Sequence, residues 1–187
     1  MADATMMRSG AFDRFAEASA TASIRALPPA ARFVFRGRPA AIETAGIAFG
    51  VALPGEACRA ATAGDRSALW LGPDEWLLLG PDGSAPAISQ SLAKPLAALP
   101  HSLVDVSHRQ TALEVSGSGA ATLLNAGCPL DLDIKTFPVG MCTRTVLGKA
   151  EIVLWRVAPT RFHVEVWRSF GAYVWRFLEE ARLERGP

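Results

Sequence analysis

The chain has 187 residues, 50% of them hydrophobic and 20% charged, with 19 basic against 18 acidic side chains. That length allows one domain, or one tightly fused pair of halves, with a sizeable core. The near-neutral balance excludes the long-range field that nucleic-acid or polybasic membrane binding requires, and the richest apolar stretch, Ala40 to Val51, is interrupted by Glu43, so no membrane span is expected.

Residues 1–30 are rich in alanine, with Phe12, Phe15, Ile24 and Leu27 as their main large apolar side chains. So little apolar surface suggests a flexible or partner-dependent arm, closed by Pro28 and Pro29. Asp3, Asp13 and Glu17 in this arm do not follow the basic-then-apolar order of a secretory signal. Folded structure is expected from Arg32. The runs Arg32 to Phe35 and Ala45 to Val51 read as strands, rich in aromatic and branched residues. Ala68 to Leu71 and Trp76 to Leu79, joined by Gly72-Pro73-Asp74-Glu75, read as a hairpin with both faces covered. Ile88 to Leu99 reads as a helix weakened at Pro95.

A second set begins near residue 101. Ser102 to Val106 and Thr111 to Val115 read as strands, and Ser116-Gly117-Ser118-Gly119 turns into a short helix from Ala120 to Ala126. Strands follow at Thr143 to Leu147, Glu151 to Val157 and Arg161 to Trp167. The last alternates strictly, with Phe162, Val164 and Val166 on one face and Arg161, His163, Glu165 and Trp167 on the other. The first face is assigned to the core and the second to solvent or a partner. The final helix is predicted to start at an N-cap, Ser169, and to end at Gly186. Its apolar stripe is Phe170, Tyr173, Val174, Phe177, Leu178 and Ala181, with Trp175 off the stripe.

Trp70…Pro73-Asp74-Glu75-Trp76 echoes Trp155…Pro159-Thr160-Arg161-Phe162, each followed by a helix. The expected class is therefore α+β. Two α/β half-units of antiparallel strands with helices on one side, 31–100 and 101–187, would form one compact body behind the arm at 1–30.

Motifs that suggest chemistry have ordinary structural readings. Gly117-Ser118-Gly119-Ala120-Ala121-Thr122 lacks the third glycine of a dinucleotide fingerprint and reads as a helix entry. The loop Asp105-Val106-Ser107-His108-Arg109-Gln110 gathers an acid, a hydroxyl, an imidazole and a guanidinium, but such close neighbours more often satisfy their own backbone. His101, His108 and His163 and the cysteines Cys58, Cys128 and Cys142 lack the close pairs of a zinc site. Three widely spaced cysteines point to reduced thiols and a cytoplasmic protein. Five tryptophans, and only Lys94, Lys135 and Lys149 as lysines among the 19 basic residues, enrich the residue types that dominate interfaces.

Several segments together resemble the gamma-subunit family of heterotetrameric sarcosine oxidase. They are Leu71-Gly72-Pro73-Asp74-Glu75-Trp76-Leu77-Leu78, Asp105-Val106-Ser107-His108-Arg109-Gln110-Thr111, Gly127-Cys128-Pro129-Leu130-Asp131-Leu132, Phe137-Pro138-Val139-Gly140 and Val166-Trp167-Arg168-Ser169-Phe170. That family is similar in fold to the tetrahydrofolate-binding aminomethyltransferases, and Asp131 matches their catalytic acid, although Leu130 stands where they carry asparagine. The resemblance implies a non-catalytic structural subunit with no cofactor or metal of its own. Its complex would demethylate sarcosine oxidatively to glycine, pass the one-carbon unit to tetrahydrofolate and produce hydrogen peroxide. FAD, FMN, NAD and tetrahydrofolate are implied for the partner alpha and beta subunits, and a zinc for the partner delta subunit. The alternative is an autonomous folate-binding aminomethyltransferase-like protein using Asp131. Trp167, Arg168, Trp175, His108 and Arg109 are the interface candidates.

Overall fold

The computed structural model of the chain describes residues 17–18 and 21–184. Two short strands, β1 (Glu17–Ala18) and β2 (Ser23–Ala26), precede β3 (Ala31–Gly37), helix α1 (Pro39–Phe49), β4 (Ala60–Ala63), β5 (Arg66–Gly72) and β6 (Glu75–Gly80). Helix α2 (Ala85–Leu96), β7 (His101–Asp105), β8 (Gln110–Ser116) and α3 (Ala120–Leu124) follow. The last elements are β9 (Cys142–Leu147), β10 (Ala150–Ala158), β11 (Arg161–Trp167) and α4 (Arg168–Glu184). Phe12, Phe15 and Gly186 lie outside the described residues.

The strands form two antiparallel sheets, ordered β4-β5-β6-β3-β7 and β1-β2-β8-β11-β10-β9. The echo in the sequence corresponds to β5-β6-α2 and β10-β11-α4, and the order β4-β5-β6-β3-β7 matches β9-β10-β11-β8-β2, with β1 an added sixth strand. The boundaries expected near residues 30 and 100 are crossed by single strands. β2 pairs with β8 in the second half's sheet, and β7 pairs with β3 in the first half's. Ser23–Ala26, inside the expected arm, is therefore held by this chain's own sheet, with Ile24 buried in the core.

Helices cover the outer faces, and the sheets face each other. Phe33, Phe35, Trp76 and Leu78 pack against α1 and α2, while Leu113, Ile152, Phe162 and Val164 pack against α3 and α4. A third apolar cluster, with Leu69, Leu77, Leu79, Val106, Cys142 and Val153, lies between the sheets. The β5–β6 hairpin supplies side chains to both sides, as its doubly apolar strands predict.

Three local expectations are corrected. Ala45 to Val51 belongs mainly to α1, not to a strand. Pro39 opens the helix, Ala41, Ala45 and Phe49 recur on its buried face, and left-handed Gly50 ends it. Ser169 does not cap α4, because the helix continues directly from β11 at Arg168, whose N–H donates to the Arg109 carbonyl. This attachment rotates the inward face to Gly171, Val174, Trp175, Leu178 and Ala181.

Trp175 is consequently only 2% exposed and joins the core, while Phe170 is 40% exposed. Burial of Trp175 needs no second subunit, so it is not an interface anchor. The Gly117-Ser118-Gly119 entry also acquires a structural purpose. The Thr21 carbonyl accepts the Gly119 N–H, and a Cβ on Gly117 would lie 2.4 Å from that oxygen. Glycine here, at φ +110°, lets the segment before β2 reach its sheet.

Trp175→Ala is expected to destabilise the chain by about 3–5 kcal/mol, the cost typical of deleting a buried indole. Urea unfolding of the variant checks this.

Candidate functional site

Between the sheets the chain buries a charged pair. Arg32 occupies an inward position of β3, between Ala31 and Phe33, which face the helices. Its Nε donates to Glu165 Oε2 at 2.7 Å, and the two side chains are 2% and 0% exposed. Glu165 Oε1 lies 2.7 Å from His163 Nε2, and the Trp155 ring lies 5.7 Å from the His163 ring. The second face of β11 therefore does not meet solvent at Glu165, and His163 beside it is only partly exposed. That face meets the other sheet, because the opposed strand β3 offers Arg32 there.

The loop from Asp105 to Gln110 secures the same point. Ser107 Oγ accepts the Arg32 backbone N–H at 2.9 Å and donates to Asp105 Oδ1 at 2.5 Å. The Val106 N–H donates to the Arg32 carbonyl. Asp105 and Ser107 thus satisfy backbone and pin Arg32, and His108 is exposed.

Burial alone would raise the Glu165 carboxyl, but the Arg32 charge and the His163 and Arg32 hydrogen bonds hold it below its ordinary value of 4.5. A depressed carboxyl contributes stability in full above the unfolded value, and loses it as pH falls through the folded one. Cys142, also between the sheets, shows the opposite effect. Burial pushes its thiol up to about 12, against a weaker lowering from a backbone hydrogen bond at Trp70. Cys142 therefore stays a neutral thiol at ordinary pH, which makes it a poor nucleophile.

Above Glu165 the gap between the sheets opens into a cleft of about 260 Å³. Val34, Leu77, Val104, Val106 and Val153 form apolar walls, and Arg109, Gln110, Arg144 and Trp167 stand among its polar and aromatic lining. Arg144 on β9 pairs bidentately with Glu75 on β6, a second bridge between the sheets. The Arg109 guanidinium stacks 5.1 Å from the Trp167 ring centroid. Trp167 is 41% exposed, and Arg168 and His108 are exposed. The structure therefore brings Arg109 and Trp167 together, places Arg168 next to Trp167 in sequence, and removes Trp175 to the core.

The described residues offer no group of three or more His, Cys, Asp or Glu side chains able to hold a metal. No helix among them is long and apolar enough to cross a membrane.

The model of the sarcosine oxidase gamma subunit family matches residues 36–184. This chain belongs to that family. A gamma subunit of sarcosine oxidase from Arthrobacter sp. is 31% identical over 191 residues, covering 97% of this chain and 93% of its own length. A chain of the heterotetrameric sarcosine oxidase from Corynebacterium sp. U-96, solved with pyrrole 2-carboxylate, superposes with a TM-score of 0.82 at 28% identity, covering 87% of this chain and 84% of that one. The glycine cleavage aminomethyltransferase T from Bartonella henselae shares the fold, with a TM-score of 0.67 at 14% identity, over 85% of this chain and 45% of that one.

Within this gamma-family chain Asp131 does not fit a folate site. It is exposed on the loop after α3, and its two oxygens accept the Asp133 N–H and the Thr136 hydroxyl. Beneath it, buried Arg156 donates to the Leu132 carbonyl at 2.6 Å and lies 4.5 Å from the Phe162 ring centroid, fixing the loop. Asp131 is a turn residue and does not line the cleft.

Sequence reasoning missed Arg32, Glu165 and the Arg144–Glu75 bridge as partners. One signal was present: a charge set into otherwise apolar strands, in Arg32-Phe33-Val34-Phe35 and in Val164-Glu165-Val166. A charge set into an apolar strand is costly in an interior without a polar partner.

Glu165→Gln is expected to cost about 3–5 kcal/mol at pH 7 by stranding Arg32, and R32M/E165M to recover most of that loss by removing both charges. Wild-type stability should decline as pH falls below about 5 in part through Glu165, and E165Q should lack that share. Urea unfolding across pH tests both.

Proposed function

We propose that this chain is a non-catalytic structural subunit of a sarcosine oxidase assembly, with alpha, beta and delta subunits as its neighbours in the cytoplasm. The assembly demethylates sarcosine oxidatively to glycine, delivers the one-carbon unit to tetrahydrofolate and reduces dioxygen to hydrogen peroxide. FAD, FMN, NAD and tetrahydrofolate are held by the neighbours. This chain contributes surface, through the exposed ground around His108, Arg109, Trp167 and Arg168.

One observation carries the reading. The chain has the family's fold over most of its length, while the acid and the bases most deeply set between its sheets are tied up in pairs: Arg32 with Glu165, and Arg144 with Glu75. A reaction centre needs polar groups left free to meet a substrate. Glu165 has both oxygens engaged, and Cys142 is held protonated. The alternative of an autonomous folate-binding aminomethyltransferase requires Asp131 in a pocket, and Asp131 lies exposed in its own turn.

Co-expression of a tagged chain with its three neighbours is expected to yield a flavin-containing complex that oxidises sarcosine, whereas the chain purified alone shows no turnover. Tetrahydrofolate should leave the thermal midpoint of the lone chain unchanged, since a ligand that prefers the folded state would raise it. Turnover by the lone chain, or a clear upward shift with folate, would overturn the proposal.

A further inference from the structure

The mouth of the inter-sheet cleft combines an orphan cation with unpartnered apolar surface. Two of the three carboxylates of the cleft lining are ion-paired. Glu165 is held by Arg32 and His163, Glu75 by Arg144, and Glu151 acts electrostatically on Arg144. Among the described residues no carboxylate pairs with Arg109. Its guanidinium is instead laid against Trp167, which orients the group and leaves N–H donors for a planar acceptor. Beside it Gln110 is buried, with its amide oxygen lacking a hydrogen-bond partner.

Exposed apolar surface surrounds this cation. Val104 is 50% exposed on β7, the edge strand of its sheet, and Trp167 and Phe170 follow one another around the start of α4. The equivalent edge strand of the other sheet, β2, is flanked by β1, while no described strand pairs with β7 on its outer side. The apolar area therefore runs from the cleft walls out over its rim, beyond what a small molecule filling about 260 Å³ would cover.

We infer that this cleft mouth docks a segment of a neighbouring subunit that carries a carboxylate next to an aliphatic side chain. The carboxylate takes the N–H donors of Arg109. The aliphatic group enters between Val34, Val104 and Val153, and the flanking residues cover Trp167. The Arg109 fork selects a planar carboxylate, because Arg109 is the cation of the cleft lining that no carboxylate pairs with among the described residues. Stacking on Trp167 restricts the guanidinium before binding, so less rotamer freedom is lost when the partner arrives. The inference deepens the subunit reading and rests on it.

The test uses the co-expressed complex with R109E, R109K and W167A in this chain. I47S, altering an exposed residue on α1 that does not line the cleft, serves as control. Thermal midpoints of the lone variants report that the fold is kept. Dissociation of the chain from the complex, followed by size-exclusion on dilution, is expected to weaken about tenfold or more for R109E and W167A. R109K should fall between wild type and R109E, because lysine keeps the charge and loses the fork, and I47S should match wild type. Wild-type assembly with R109E and W167A as tightly held as I47S would overturn this inference alone. Failure of the wild-type chain to join any complex would overturn the subunit reading and the inference together. Acetate raising the thermal midpoint of the lone chain only when Arg109 is present, with assembly indifferent to R109E, would reassign the cleft to a free small carboxylate and overturn the docking role.

Discussion

The Arg32–Glu165 pair is the constraint on which the arrangement of the two halves depends, because it is a fully buried, charge-bearing hydrogen bond between opposed sheets whose facing walls are largely apolar. Arg32 comes from the five-stranded sheet and Glu165 from the six-stranded one. An apolar interface tolerates sliding, since hydrophobic contact is not directional. A buried carboxylate that must meet both a guanidinium and an imidazole tolerates little. The pair need not add net stability over an apolar replacement, but any packing of the sheets that separates it leaves two uncompensated charges in the interior. The loop from Asp105 to Gln110 strengthens this by holding the Arg32 backbone through Ser107 and Val106.

Around that pair the chain builds the same unit twice and then exchanges an edge. Each half contains a strand, a helix, three antiparallel strands and a second helix. The fifth strand of each sheet comes from across the sequence boundary: β7 follows α2 to flank β3, and β2 precedes β3 to flank β8. Backbone pairing thereby ties the halves, in addition to the cluster between them. Gly117 makes the second exchange possible, since only a residue without Cβ lets the Thr21 carbonyl approach so closely.

The functional consequence is that the buried ion pairs between the sheets are closed, while a cation and an aromatic ring stand open at the cleft mouth. Inside, the carboxylates between the sheets have cations, and the buried thiol there is held protonated. Outside, an arginine stacked on a half-exposed tryptophan stands at the mouth of an apolar cleft. The family relationship and the physical state of the side chains therefore agree. A scaffold shared with aminomethyltransferases has its candidate acid, Asp131, engaged in a loop turn, and presents aromatic and cationic surface where a neighbour can use it.

Most strands, the α+β class and the pseudo-repeat were legible in the sequence, because alternation, turn residues and helical periodicity are local properties that a single segment carries. So were the structural roles of Asp105 and Ser107, whose short side chains reach nearby backbone. Residues Ala45 to Val51 misled because small apolar side chains suit either element, and only packing of Ala41, Ala45 and Phe49 against β3 favours the helix. Two further matters belonged to the tertiary structure alone. The azimuth of α4 is set by its direct continuation from β11, which turns Trp175 inward and Phe170 outward against the local stripe. The partner of Glu165 lies 133 residues away on another sheet. Neither can be read from a segment, because each depends on the relative placement of elements that the chain brings together only when folded.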